Sequence, residues 1–296
     1  MTLTLFTADD LLGGVELWAT DGTSAGTYRV KDINVSPGTG SNPANFHAPF
    51  AVLDGFAYFT ANDGTHGLQI WRSDGTAANT VQVTNLAGAS GFDVMEVANG
   101  HLYFNMSGAL YTSTGTPGST PTLLDANGGG NLTVSGDDIY WTNANGLFTD
   151  DGVHGAQQLT NTTGYGWLVD AGDALYAFTG TSIAKVVGTT LTTVTNVPAG
   201  MPSSQFDAEN FKVIDGTVFF AVRDNLGFYH SLYSIQDGSN TVTTISTGFQ
   251  DLVLDGWSAA LGNKLIFQDN SVLWSSDGTA AGTTALGAIT NGGATS

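Results

Sequence analysis

The sequence of 296 residues contains no cysteine. Disulfides, thiol nucleophiles and thiolate metal sites are all excluded by that one absence. Basic residues are nearly as scarce, with seven Lys and Arg against 26 Asp and Glu and a formal net charge of −19 at pH 7. Nucleic-acid surfaces neutralise phosphates with Lys and Arg, so nucleic acid is excluded as a partner, and an anionic membrane surface is disfavoured for the same reason. The acidity serves solubility and leaves room for a cation. Charged residues of both signs make up 11% of the chain, against about 25% in an average soluble domain. No apolar run reaches the roughly 20 residues of a membrane span, so no membrane insertion is expected, and no long stretch keeps a helical period. Met1-Thr2-Leu3-Thr4-Leu5-Phe6 enters a strand pattern with no basic segment before it, unlike a signal peptide. The chain is then cytoplasmic, or exported by a route without such a signal, or one domain of a longer protein. The scarcity of Lys and Arg, the lack of Cys and the acidity together favour an extracellular or cell-surface location.

What the chain has instead is Gly (40 residues), Thr, Ser and Asn, with 41% hydrophobic residues, enough for a sizeable core. Thr, Val, Phe, Tyr and Trp favour strands. Glu16-Leu17-Trp18-Ala19-Thr20-Asp21-Gly22-Thr23-Ser24-Ala25-Gly26-Thr27 reads as a strand, a tight Asp-Gly turn and the start of a second strand. Close copies stand at Ile70–Thr80 and Leu273–Thr283. Copies at both ends mean a repeat architecture.

Two anchors recur in step. An aromatic pair marks a strand B at Leu5-Phe6, Tyr58-Phe59, Tyr103-Phe104, Tyr140-Trp141, Tyr176-Ala177, Phe219-Phe220 and Ile266-Phe267. An apolar-aromatic pair marks the next strand, C, at Leu17-Trp18, Ile70-Trp71, Leu110-Tyr111, Leu147-Phe148, Ile183-Ala184, Leu232-Tyr233 and Leu273-Trp274. The fifth unit has Ala at both aromatic positions. Six units show a strand A before B, joined to it by turns such as Asp54-Gly55, Asn99-Gly100 and Asp215-Gly216, which tolerate positive φ. A strand D follows C. Seven repeats of about 42 residues, each of four short antiparallel strands, predict an all-β fold: a seven-bladed β-propeller of four-stranded antiparallel blades. The expected blades are 1–33, 45–86, 91–125, 131–161, 166–196, 209–247 and 257–288, within one propeller domain over 1–288 and a tail at 289–296. Blade one lacks a strand A, so closure needs the tail, a three-stranded blade or a segment outside this chain.

The strings Glu-Leu-Trp-x-Thr-Asp-Gly-Thr-x-x-Gly-Thr and Val30-Lys31-Asp32-Ile33 resemble the ELWxxDGT repeat family, closely in blades one, two and seven. Those repeats occur in large secreted or cell-surface bacterial proteins, often beside adhesin-like modules. The resemblance implies a propeller-like extracellular binding or structural role, with no catalytic residues to carry over. A glycan or a cell-surface protein is then the expected partner, or other domains of a longer chain.

No Walker loop or His-Glu-x-x-His is present, and no carboxylate pair is singled out by spacing. The expectation is a non-catalytic binding module, with no cofactor unless calcium binds at turn carboxylates. The alternatives are a structural spacer or assembly subunit and a glycan-cleaving enzyme. His66 in Asp63-Gly64-Thr65-His66-Gly67 and His154 in Asp151-Gly152-Val153-His154-Gly155 share a string, but fall in a B–C and a C–D turn, at opposite ends of their sheets. Trp18, Trp71 and Trp274 are expected in equivalent core positions. In each blade the A–B and C–D turns share one rim, and the B–C turns and D-to-A connections share the other. The long connections Asn34–Asn45 and Val197–Asn210 favour the second rim for recognition. That places His47, Asp93, Tyr165, Asn210 and Trp257 as ligand-binding candidates, with Tyr165 and Trp257 exposed. Asp9, Asp10, Asp224 and Asp269 flank them as cation candidates.

Overall fold

The computed structural model describes residues 3–9, 11, 13–36, 39–43, 50–88, 91–92, 94–179, 181–198, 211–223, 229–250, 252–254 and 258–289. It is an all-β, seven-bladed β-propeller with antiparallel blades. Among the described residues there is no helix, and so none long and apolar enough to cross a membrane.

The strands are, by blade, β1 (Thr4–Asp9), β2 (Val15–Thr20) and β3 (Tyr28–Lys31); β4 (Ala51–Leu53), β5 (Phe56–Asn62), β6 (Leu68–Ser73) and β7 (Val81–Gln82); β8 (Met95–Ala98), β9 (His101–Met106), β10 (Ala109–Ser113) and β11 (Thr122–Asp125); β12 (Gly130–Ser135), β13 (Asp138–Asn143), β14 (Gly146–Asp150) and β15 (Gln157–Thr160). Then follow β16 (Trp167–Asp170), β17 (Leu175–Phe178), β18 (Ile183–Val187) and β19 (Thr190–Thr193); β20 (Phe211–Ile214), β21 (Thr217–Arg223), β22 (Tyr229–Ile235) and β23 (Val242–Ser246); and β24 (Leu252–Val253), β25 (Ala259–Leu261), β26 (Lys264–Asp269), β27 (Val272–Ser276) and β28 (Thr284–Ala288). Blades two to six are four-stranded meanders in chain order. The first sheet has three described strands, β1-β2-β3. In the seventh, β24 and β25 pair with successive parts of β26, so its inner strand comes in two pieces.

The two kinds of turn differ in mechanism. Asp54, Asn99 and Asp215 have φ of 50° and are followed by Gly55, Gly100 and Gly216 at 70–78°. Positive φ at both central residues gives the turn whose twist matches a hairpin. The Asp-Gly-Thr segments are not two-residue hairpins. β2 ends at Thr20 and β3 begins at Tyr28, so the turn is a longer loop closed by its own side chains. Asp21 Oδ1 accepts the Thr23 amide (2.9 Å) and hydroxyl (2.7 Å), Thr23 Oγ1 accepts the Gly26 amide (3.0 Å), and Thr27 Oγ1 donates to Thr23 O (2.7 Å). Asp74 and Asp277 repeat these bonds in blades two and seven.

The anchor pairs occupy one register: Phe6↔Trp18, Phe59↔Trp71, Phe104↔Tyr111, Phe220↔Tyr233 and Phe267↔Trp274 stand directly opposite. Such cross-strand aromatic pairs are the unit of sheet stabilisation. Trp71 is buried, while Trp18 and Trp274 are partly buried, so their equivalence is positional rather than one of equal depth. In blade five the same register holds Ala177↔Ala184.

By internal contacts the chain forms two compact units, residues 1–139 with 150–157, and residues 140–149 with 158–296. In the first, Leu17, Ala19 and Val30 of blade one pack on Phe59, Ala61 and Trp71 of blade two, and Ala51, Leu53 and Tyr58 pack on Met95, Leu102 and Phe104 of blade three. In the second, Tyr176 and Phe178 pack on Phe211 and Phe220, and Phe219 and Leu232 on Leu252 and Phe267. Strand-B tyrosines pin these interfaces through their hydroxyls. Tyr58 donates to Gly115 O (3.2 Å) in the first unit, while Tyr140 donates to Gly188 O (3.0 Å) and Tyr176 to Ser239 O (3.1 Å) in the second, each reaching the next blade's C–D turn.

Candidate ligand-binding site

Blade three departs from that pattern. Its tyrosine, Tyr103, donates to a carboxylate, Asp150 Oδ2 at 3.2 Å, instead of a backbone carbonyl. Asp150 ends β14 and is 2% exposed, and its Oδ1 accepts the Gly152 amide at 3.0 Å. Burial and the charge of Asp150 both push the Tyr103 hydroxyl well above the ordinary tyrosine range, so it stays a donor. Over this pair, within the first unit, a cavity of about 330 Å³ opens where A–B and C–D turns gather. One wall is His101 with the turn Gly152–Gly155, and the other is Thr114, Ser119, Thr120, Thr122 and Leu124, with Thr112, Ser113 and Asp150 between.

Each lining group is fixed by local chemistry. His101 opens β9 directly after the Asn99-Gly100 turn, and its Nδ1 lies 2.9 Å from Asn99 O. A carbonyl only accepts, so Nδ1 donates to it, and this bond leaves the hydrogen-bonding capacity of Nε2 unused. The 113–119 wall is a weakened Asp-Gly-Thr turn with Thr114 in place of Asp: Ser113 Oγ accepts the Gly115 amide (3.1 Å) and Ser119 Oγ donates to Thr116 O (2.7 Å). The opposite wall is held by Asp151, whose Oδ1 accepts the Val153 (2.9 Å) and His154 (2.8 Å) amides and whose Oδ2 meets His154 Nδ1 at 2.5 Å. These bonds, the His154 amide first, hold the Asp151 carboxyl well below its ordinary range, and that carboxylate raises the His154 imidazole in turn. The B–C turn Asp63–Gly67 reproduces the same bonds with His66, at 2.6 Å between the side chains. Its shared string is therefore turn chemistry, as the sequence indicates.

The cavity thus presents six hydroxyl side chains, one imidazole and one buried Asp, with no Lys or Arg among its described lining residues. Hydroxyls both donate and accept, which matches a ligand that does the same. Among the described residues no three His, Asp or Glu side chains converge as metal ligands. Gly22-Thr23-Ser24-Ala25-Gly26 has the Gly-x-Ser-x-Gly spacing of a nucleophile elbow, yet it is a strand-to-strand loop with no helix after it, so the elbow geometry is absent.

Of the residues singled out in the sequence, His47, Asp93, Asn210, Trp257, Asp10 and Asp224 lie outside the described residues. Tyr165 is a correction. It is 9% exposed and packs with Tyr140, Leu147, Leu175, Ala177 and Ala184, filling the space left where blade five has Ala in place of its aromatic pair. It belongs with Phe50, Phe92 and Phe249, which precede their strands A and lie 5.3–5.8 Å from the strand-B aromatics Phe59, Phe104 and Phe267. Asp269 is buried too, accepting the Gln250 amide at 2.8 Å, so it ties a connection rather than facing solvent. Asp9 is exposed and caps the Leu11 amide at 2.7 Å. The connection after β3 is not a free loop either. Glu16, fully buried, accepts the amides of Ile33 (3.2 Å), Asn34 (3.3 Å) and Ser41 (2.9 Å) and the Ser41 hydroxyl (2.5 Å). That is the task of the Glu in Glu-Leu-Trp, and Gln69 does similar work in blade two by accepting from Thr84 Oγ1 and the Leu86 amide, both at 2.9 Å. Both described cavities lie at the A–B and C–D ends of their blades, not at the end favoured from loop length.

No protein-family model matches the chain, and no curated protein does. Solved structures do. AztD from Citrobacter koseri is 14% identical, with 98% of this chain and 80% of that one covered and a TM-score of 0.50. Its apo form gives 0.49 at 14% identity over 98% and 95%, and BamB from Moraxella catarrhalis gives 0.45 at 12% identity over 97% and 90%. These are β-propellers, and at such identity the likeness concerns fold alone.

Proposed function

We propose that this chain is a non-catalytic binding propeller of an extracellular or cell-surface protein, and that the cavity between blades three and four takes a neutral glycan. The observation that carries the reading is the lining: hydroxyls, the His101 imidazole and the buried side chain of Asp150, with no Lys or Arg among the described lining residues to hold an anion. A sugar ring offers the same mixture of donors and acceptors. The titratable groups around it are already engaged. Asp150 receives Tyr103 and Gly152, and Asp151 receives His154, which supports binding over glycan cleavage, where two free carboxylates would face the ring. The low Lys and Arg content, the absence of Cys and the resemblance of Glu16–Thr27 to ELWxxDGT repeats support an external location.

A glycan array identifies the sugar, and calorimetry with His101→Ala and Thr122→Val tests the site. Each lost hydrogen bond to ligand is expected to weaken binding about tenfold, near 1.4 kcal/mol. An array without a hit, or variants that bind like the parent, would leave the spacer reading in its place.

A further inference from the structure

Among the described residues the first blade has no strand A. In blades two to six the B strand lies between an A and a C strand, whereas among the described residues β1 pairs only with β2. Register places the gap. Phe6 faces Trp18 as Phe59 faces Trp71, so Leu5 is the counterpart of Tyr58 and Leu3 that of Phe56. In blade two Ala51 stands opposite Tyr58 and Leu53 opposite Phe56, and both alternate residues enter the core shared with blade three. The core shared by blades one and two receives no such pair. Instead a cavity of about 310 Å³ lies there, lined by Leu3, Leu5, Phe50, Val52, Phe56 and Asp74 among others. Leu3 and Val52 are 38% and 67% exposed at it.

The geometry points to a strand-acceptor groove: a partner polypeptide adds an extended segment antiparallel to β1, along the edge that no described strand pairs with, and two alternate apolar side chains of that segment fill the cavity. Strand addition supplies affinity through main-chain hydrogen bonds and specificity through pockets for alternate side chains. The groove continues an existing core, since Leu5 and Phe50 at its wall already pack in the blade one–blade two cluster. Charge selects the segment's ends. Asp74 lines the cavity beside Leu3, Asp9 closes β1 at its far end, and the chain carries −19 overall, so Lys or Arg flank the apolar residues of the occupant.

The probe is a fluorescent peptide Lys-Val-Leu-Val-Leu-Lys, titrated onto the full chain. Saturable binding is expected. A peptide with Pro in place of its second Val removes a ladder donor and should bind at least tenfold more weakly. Val52→Glu should weaken binding at least tenfold with an unchanged melting temperature, because Val52 is exposed; Leu3→Glu is the second variant. No saturable binding, equal binding of the proline peptide, or indifference to both variants overturns the assignment. So does a chain shortened before residue 290 that binds the peptide tenfold tighter, which would make the chain's own tail the occupant. A solution dimer dispersed by Val52→Glu would make it a second copy, and equally overturns it.

Discussion

The Asp-Gly-Thr motif is explained at single side chains. A Cβ placed on Gly26 would lie 2.0 Å from Asp21 Oδ1, and one on Gly282 2.1 Å from Asp277 Cγ. The motif's last glycine is therefore room for the carboxylate that caps the loop. Blade two carries Asn79 there, whose Nδ2 donates to Asp74 Oδ2 at 2.6 Å, so the crowding is converted into a bond. Gly26→Ala should then destabilise by about 1–2 kcal/mol, the worth of a displaced cap, and Gly26→Asn by less; chemical denaturation of both ranks them. Glu16→Ala should cost about 3–5 kcal/mol, because it leaves four buried donors without their acceptor, while Glu16→Gln should lose less, since its one carbonyl oxygen still serves two of the four although its amide NH2 faces the other two. His154 should titrate by NMR above its ordinary value near 6.5 and return towards it in Asp151→Asn. The linkage has a definite sign: a raised imidazole stabilises the fold fully below the unfolded value and loses that contribution as pH rises through the folded one. The Asp-Gly-Thr segment is legible in the sequence as a turn between two strands, though as a tighter one than the loop its side chains close between Thr20 and Tyr28. The role of Glu16 is not, since its partners lie up to 25 residues onward in a connection without periodicity.

At the scale of strands and blades the sequence was informative because two anchors repeat in step. All seven B pairs and all seven C pairs fall inside strands, from Leu5-Phe6 in β1 to Leu273-Trp274 in β27. What it hid is a third aromatic series on the D-to-A connections, because Phe50, Phe92, Tyr165 and Phe249 sit at unequal distances from the strands that follow. Alternation cannot reveal a residue whose position is set by packing. Tyr165→Ala should consequently cost about 3–5 kcal/mol, comparable to Trp71→Ala, since each empties a large core volume. Equilibrium unfolding of the two variants checks this. A Tyr165→Ala chain as stable as the parent would return Tyr165 to the surface role suggested by its flanking glycines.

For the whole molecule the decisive quantity is charge. The chain carries −19 with a pI near 4.1, so its 26 carboxylates far outnumber its seven Lys and Arg, one pairing of which is Arg29–Asp32 at 3.3 Å. Repulsion among carboxylates therefore outweighs attraction at neutral pH, and screening it should stabilise the fold. Raising NaCl from about 10 mM to about 300 mM shortens the Debye length from about 30 Å to below 8 Å, so the melting temperature at pH 7 should rise. Near the pI the same change in salt should do little, because the net repulsion is gone. Further acidification works through the turns. Thr23 and Thr279, through their hydroxyls and amides, hold Asp21 and Asp277 below the ordinary carboxylate range. Such a group stabilises the fold fully above its unfolded value and loses that contribution as pH falls through the folded one. Stability should thus decline below about pH 4 as the loops of blades one and seven lose their caps, and the decline should be shallower in Asp21→Asn, which has already lost the charge. Scanning calorimetry over salt and pH reads both effects. A melting temperature that fell with salt at pH 7 would mean that attractive pairs dominate, against the distribution of charge described here.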